Sequence, residues 1–311
     1  MDIYSQVLIL FALVGTGYLC KRYRIISNKM NEDLGNLILL VSMPALIIQS
    51  MSTFSYSAEM MREIAMMVGI SLGLYLFYVL VSYLFPRILG LRGAERDIVQ
   101  FITVFANTGF MGFPISYIFF GNKGLLYMVI LNMFYDLFVW TFGISILGRP
   151  RRSAHEADAG FRPSQLKGLL NPCIIAVFIG LALIVSGLEL PGPVLGFLDM
   201  LGKIATPLAM IFVGSMLADL KFSHIFTDRT IIKASIFKLI VLPLLVMGIL
   251  KALGIAGLFV SIAVLATAMP AAASTTILAG KYGNDQYFAS KIVFMSTLFS
   301  ILTIPLMVTF L

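Results

Sequence analysis

Charge is scarce in this chain. Of its 311 residues 12% are Asp, Glu, Lys or Arg, against 59% hydrophobic, whereas a water-soluble domain carries roughly a quarter charged residues to cover its surface. Histidine and cysteine are nearly missing, at two each. Cys20 and Cys173 lie in apolar stretches and His155 and His224 in polar connectors, which argues against a disulfide framework and leaves no Cys/His spacing for a metal. Neither a G-x-x-x-x-G-K-[ST] stretch nor H-E-x-x-H occurs, so neither a nucleotide-hydrolysing loop nor a zinc-peptidase helix is expected, and no cofactor is called for. The start, "MDIYSQVLILFALVGTGYLC", has no basic opening and no A-x-A-like site, and reads as a retained first span rather than a cleaved leader.

What the chain has instead is apolar runs of the length that crosses a hydrocarbon core about 30 Å thick. Ten are present: 3–20, 31–51, 63–85, 98–120, 123–147, 168–187, 194–218, 230–250, 257–280 and 286–310. Ten spans put both termini on one side. The connectors on the opposite side, among them "KRYRIISNK" and "GRPRRSAHEADAGFRPSQLK", hold 16 of the 22 Lys and Arg residues, and those on the termini side hold three. That asymmetry predicts a multi-pass protein of the inner or plasma membrane with a basic cytoplasmic side and both termini extracytoplasmic. The net charge of +7 is then mostly topological, and the dispersed basic residues do not suggest nucleic acid as a partner.

The single long connector, 148–167, separates a first five-span half, 1–147, from a second, 168–311. An offset of 163 residues relates the halves: it carries Pro44 in "LLVSMPALIIQSM" onto Pro207 in "GKIATPLAMIFVGSM", and Asn107 onto Pro270 in "LATAMPAAASTTILAG". Five being odd, the two copies enter the membrane in opposite senses. The expectation is an all-α polytopic membrane protein of ten helices in two inverted five-helix repeats, an architecture of secondary transporters that bind substrate at mid-membrane where interrupted helices meet.

The interruptions fall in spans four and nine. "FANTGFMGFPISYIFFG" (105–121) places Asn107-Thr108-Gly109 about ten residues into its span, and Pro270 sits about thirteen into the other. An unpaired backbone group in lipid costs several kcal/mol, so irregular backbone survives there only against protein or a wet cavity. Breaking a helix creates a new N-terminal end carrying about half a positive charge, a receptor for an anion. Asn107, Thr108, Ser274 and Thr275 would add neutral donors and acceptors, with Gly109 and Ala271 beside the breaks. Gly112 and Pro114 read as a later kink, and Pro44 and Pro207 as hinge positions in the second span of each half.

These residues resemble a known family. "NTGFMGFPI" is similar to the fourth-span motif of the auxin efflux carrier family, the group of plant PIN proteins and bacterial malate and malonate permeases. "VSMPALI" resembles its second span, "VILNMFYDLFVW" its fifth, and "MPAAASTTILAGKYGND" with "FMSTLFSILTIPL" its ninth and tenth. The resemblance implies external termini, a scaffold domain of spans 1, 2, 6 and 7, and a transport (crossover) domain of spans 3–5 and 8–10. Helices four and nine then cross at their breaks, as in bile-acid symporters and NhaA. It also implies that Asn107 is the crossover asparagine, Pro270 the ninth-span crossover proline, and Asn132 the polar substrate contact of span five. Ala106 departs from the pattern, since plant members have proline there.

Charged residues within spans are candidates for function. Asp136, four residues after Asn132 and so on the same helical face, is an expected coupling group or ion-pair partner of Lys238 or Lys291; both lysines could equally snorkel to the interface. The sequence therefore points to a secondary transporter of small organic anions such as malate or malonate, working by an elevator-type movement. Its partners would be that anion, membrane lipid and a second copy through the scaffold domain. The rival readings are a sodium-coupled organic-anion symporter of the bile-acid type and a non-transporting membrane sensor. An enzyme is not expected, because only Asp136 offers an acidic group at depth.

Overall fold

The protein is described here by a computed structural model covering residues 3–149, 171–218 and 228–311. Apart from Gly148 and Arg149, the connector 148–167 lies outside the described residues, as do His155 and His224. The described residues form helices and no strands; six of the helices, single or composite, are long and apolar enough to cross a membrane.

In chain order the helices are α1 (Ile3–Arg22), α2 (Asn28–Leu37), α3 (Met43–Met51), α4 (Ala58–Ile88), α5 (Gly93–Val104), α6 (Phe113–Phe138) and α7 (Ile144–Leu147). After the connector come α8 (Pro172–Ser186), α9 (Gly192–Lys203), α10 (Ala205–Ala218), α11 (Arg229–Ile236), α12 (Leu242–Ala252), α13 (Leu258–Ala268), α14 (Ser274–Lys281) and α15 (Gln286–Val308). Four π-helical turns join neighbours within single runs: Ile38–Ser42, Thr108–Gly112, Val139–Gly143 and Phe237–Val241. Three of them lead into Met43-Pro44, Phe113-Pro114 and Leu242-Pro243. The cause is local. Proline cannot donate to the preceding turn and its ring crowds the carbonyl four residues back. Widening the turn accommodates both faults: Met43 N–H bonds Ile38 O and Leu242 N–H bonds Phe237 O, each five residues back.

Pro114 follows one of these widened turns within the run Thr108–Leu147. It is the second residue of α6, directly after the turn Thr108–Gly112, whose widening accommodates the missing N–H. Pro44 likewise opens α3, and Pro207 is the third residue of α10, just past the interruption at Ile204.

Helix α4 shows how sequence periodicity sets the packing. Leu72, Leu76, Leu80 and Leu84 recur every fourth residue and are exposed, Leu76 and Leu80 by 57% and 59%. Ser71, Leu74, Tyr75, Tyr78, Val81, Ser82 and Phe85 occupy the other face and are buried. A helix with a polar-containing face turned inward and leucines outward is built for an apolar solvent.

Helix α6 is two helices in one. From Thr108 to Leu147 the near-continuous helical run is 40 residues, about 60 Å at 1.5 Å per residue and twice a hydrocarbon core. Gly121 breaks it with φ 63° and ψ −156°, a region essentially restricted to glycine. The chain turns sharply there, for a Cβ built on Gly124 would come within 2.8 Å of the Ser116 carbonyl eight residues earlier. Asn122 just beyond accepts from Ser50 at 3.3 Å, and Glu63 holds both Lys123 (2.8 Å) and the Tyr127 hydroxyl (2.8 Å).

The chain divides into two compact units. One comprises Met1–Val68, Gly109–Ile130 and Leu170–Leu220. Its tightest crossing is α1 on α10, where Cβ atoms built on Gly17 and Gly214 would fall 2.0 Å from Ile211 O and 1.9 Å from Val14 O. Only glycine lets the two backbones touch. Asn31 on α2 and Ser215 on α10 are both buried and hydrogen-bond each other. The other unit comprises Gly69–Thr108, Leu131–Leu169 and Lys221–Leu311. It packs α12 on α13, α15 on α11, α13 and α14, and α7 on α5, with the rings of Tyr75 and Phe138 stacked 5.1 Å apart.

Candidate crossover site

Within the second unit, α5 stops at Val104 and α13 stops at Ala268. Both stops leave backbone groups that no helix can satisfy, and each break donates one hydrogen bond to the other. Ala106 and Ala271 form an isolated antiparallel bridge. Asn107 N–H donates to Pro270 O at 2.8 Å, and Ala272 N–H donates to Phe105 O at 3.3 Å. Ala271 N–H donates to Ser296 Oγ of α15 at 3.1 Å. Proline at 270 is compatible with this pairing because the bridge uses its carbonyl and not the N–H it lacks. Ala106, Asn107, Thr108, Pro270 and Ala271 are all buried.

The chain restarts as a helix immediately after each break. The π-helical turn begins at Thr108, and α14 begins at Ser274. Of their first-turn N–H groups, Thr108 N–H is closed by Ala106 O at 2.9 Å and Thr275 N–H by Ala272 O at 3.0 Å. Around them stand hydroxyls and amides. Thr108 Oγ1 donates to Asn132 Oδ1 of α6, and Tyr135, three residues further along α6, shares a 3.1 Å hydrogen bond with Ser274 Oγ. Two polar groups are uncommitted. Thr275 Oγ1 is buried without a partner, and Asn107, 6% exposed, uses its amide in no side-chain hydrogen bond among the described residues. Buried polar groups are normally paired, so orphans at a helix break suit a transient partner.

The structure thus brings together Asn107, Thr108, Asn132, Pro270, Ala271, Ser274 and Thr275. Gly109 and Gly112 lie in the π-helical turn just after the first break. Pro44 and Pro207 belong to the other unit. Asp136 is half-buried on α6, one turn beyond Asn132, within electrostatic reach of Tyr75 and Tyr135. Lys291 lies over the ring of Tyr287, 4.1 Å from its centre. Lys238 is buried at 1% exposure against Thr103 O at 3.5 Å.

Sequence reasoning missed Tyr135 and Ser296. A tyrosine or serine inside an apolar span carries no special signal. For Tyr135 one hint existed, its spacing of three from Asn132, which sets both on one helical face.

The profile of a family described as "Membrane transport protein" matches residues 2–308. An uncharacterized transporter of Methanocaldococcus jannaschii is 28% identical over 305 residues, covering 96% of each chain. Another uncharacterized transporter, from Methanothermobacter thermautotrophicus, is 26% identical over 97% of this chain and 96% of its own. A protein of Rhizobium meliloti named "Putative malonate transporter" is 24% identical over 97% and 94%.

Proposed function

Since the chain belongs to the membrane transport protein family, we propose that it is a secondary transporter of small organic anions, mono- and dicarboxylates such as malate or malonate. The family and these relatives are named as transporters, not enzymes, and the chain is a multi-pass integral membrane protein. The observation that carries the finer reading is the pairing of the two breaks through Asn107 and Pro270. It fixes the starts of two helices beside an uncommitted amide and hydroxyl. Each helix start contributes about half a positive charge, and a carboxylate placed there would receive backbone and side-chain donors together. The name of the Rhizobium meliloti relative, "Putative malonate transporter", is in keeping with that chemistry.

In this reading the ten apolar runs are ten spans in two inverted repeats, with both termini external. The crossover domain, spans 3–5 and 8–10, carries the anion across the membrane against a scaffold of spans 1, 2, 6 and 7. The test is counterflow in liposomes holding the purified protein, with malate, malonate, lactate, pyruvate and indole-acetate offered in turn. Exchange of at least one carboxylate is expected. Movement of a neutral solute or cation with no carboxylate flux would overturn the anion reading.

A further inference from the structure

Two charged side chains are fully buried among the described residues, Asp97 and Lys238. Asp97 is matched by Arg149 at 2.7 Å and Arg96 at 3.1 Å. Among the described residues Lys238 forms no ion pair with a carboxylate. Its contacts are the Thr103 carbonyl at 3.5 Å and the face of Tyr78, 5.9 Å from the ring centre. An ammonium taken out of water costs several kcal/mol unless something nearby is negative, so the compensation has to come from groups that carry no formal charge.

The surroundings supply it. Thr103 lies in the last turn of α5, one residue before the helix ends at Val104. Its carbonyl is among the four at a helix C-terminus that lack an intrahelical donor, and that end carries about half a negative charge. Tyr78 leads to the second helix end: its hydroxyl shares a 2.6 Å hydrogen bond with Thr267 Oγ1, and Thr267 is the penultimate residue of α13. The π-helical turn holding Lys238 also packs against α13. The ammonium therefore meets the C-terminal end of the first half-helix directly, at Thr103 O, and is linked to the end of the second through the Tyr78 hydroxyl on Thr267; each such end carries about half a negative charge. The widened turn at Phe237–Val241 that Pro243 imposes is what places it there.

We infer that Lys238 is a resident cation of the crossover: its ammonium balances the two C-terminal helix ends, so the opposed N-terminal ends hold an anion without a co-bound metal ion. This rests on the anion-transport reading for its consequence and on the burial geometry for its placement. Lys238 is a positioning residue, acting on the substrate through the helix ends it steadies. A sodium ion has no role at a site where the cation is part of the chain.

Two measurements separate this inference from the reading beneath it. Thermal unfolding of the purified protein in sodium, potassium or choline chloride at equal ionic strength needs no substrate. The wild type is expected to melt at the same temperature in all three; a rise specific to sodium overturns the inference, whether or not any carboxylate is transported. The second measurement is malonate exchange by K238M, whose side chain is of similar length and carries no charge. The Michaelis constant is expected to rise at least tenfold, with the wild type equally fast in sodium and choline. An unchanged Michaelis constant in K238M, or wild-type exchange that needs sodium, overturns it. Absence of carboxylate flux in the wild type instead refutes the anion reading and leaves the melting comparison to decide the role of Lys238. If K238M does not purify, Y78F keeps the ring and removes the hydroxyl tie to Thr267. It is expected to raise the Michaelis constant several-fold at a near wild-type melting temperature, and an unchanged constant in Y78F also overturns the inference.

Discussion

At the scale of the residue, Asn107 combines two roles that mutation can separate. Its backbone N–H ties the first break to Pro270, and that bond survives any side-chain change. The residue is 6% exposed and its side-chain amide makes no hydrogen bond among the described residues. Asn107→Ala should therefore keep expression and melting temperature close to wild type while weakening the grip on the anion. A hydrogen bond to a charged partner is worth about 1.5–3 kcal/mol, so the Michaelis constant for the transported carboxylate should rise roughly 10–100-fold. Wild-type kinetics in liposomes would reduce Asn107 to a packing residue. The position of this residue was legible in the sequence, because an asparagine followed by Thr-Gly halfway along an apolar run breaks the pattern of its neighbours. Its pairing partner was only half legible. Pro270 stood out, but the bridge runs through Ala106 and Ala271, and an alanine in an apolar helix announces nothing. Lys238 was visible as a charge within a span; its neighbours were not, since Thr103, Tyr78 and Thr267 become a cluster only when three distant segments meet.

At the scale of the element, the prolines taught more through their consequences than through their positions. The sequence read Pro44 and Pro207 as hinge positions and Gly112 with Pro114 as a kink. In the structure Pro44 and Pro114 each follow a widened turn and Pro207 an interruption at Ile204, because a residue without an N–H is cheapest where the regular helical ladder is already loosened. Glycine at close crossings is a second feature that composition hides. Gly214 and Gly15 both lie on long apolar helices and look alike in the sequence. A Cβ on Gly214 would penetrate Val14 O at 1.9 Å, while one on Gly15 meets nothing within 4 Å. Gly214→Ala should cost about 1–3 kcal/mol through forced separation of α1 and α10. It should lower the melting temperature in detergent by several degrees, whereas Gly15→Ala should leave it unchanged. Equal melting temperatures for the two variants would mean that α1 and α10 do not cross as closely as described.

At the scale of the whole molecule, charge asymmetry makes a claim that labelling can test. With both native cysteines, Cys20 and Cys173, changed to serine, single cysteines at Lys29 and Lys281 should react with a membrane-impermeant thiol reagent only after the membrane is opened. One at Glu189 should react from outside in intact cells. Labelling of Lys29→Cys from outside would reverse the assigned orientation. The scale of whole spans is also where the sequence spoke most clearly, since runs of apolar residues report the solvent they meet and need no partner to be read. The helical hairpin at Gly121 was less clear. The sequence offered a short polar stretch, "GNK", and the structure adds the glycine-only dihedral that turns the chain within it.

The bridge between Ala106 and Ala271 has a consequence in time. Those two residues are 165 positions apart, and a ribosome adding about 5–20 residues per second takes roughly 8–33 s to go from one to the other. Throughout that interval the amide and carbonyl groups of Phe105–Asn107 have been made and their partners do not yet exist. The nascent first half cannot keep its final break in a dry bilayer, because several unmet backbone groups would each cost several kcal/mol there. During synthesis this segment must stay wet, stay a continuous helix, or be shielded by the insertion machinery until Pro270 and Ala271 arrive. The finished crossover thus forms only after Pro270–Ala272 have been made.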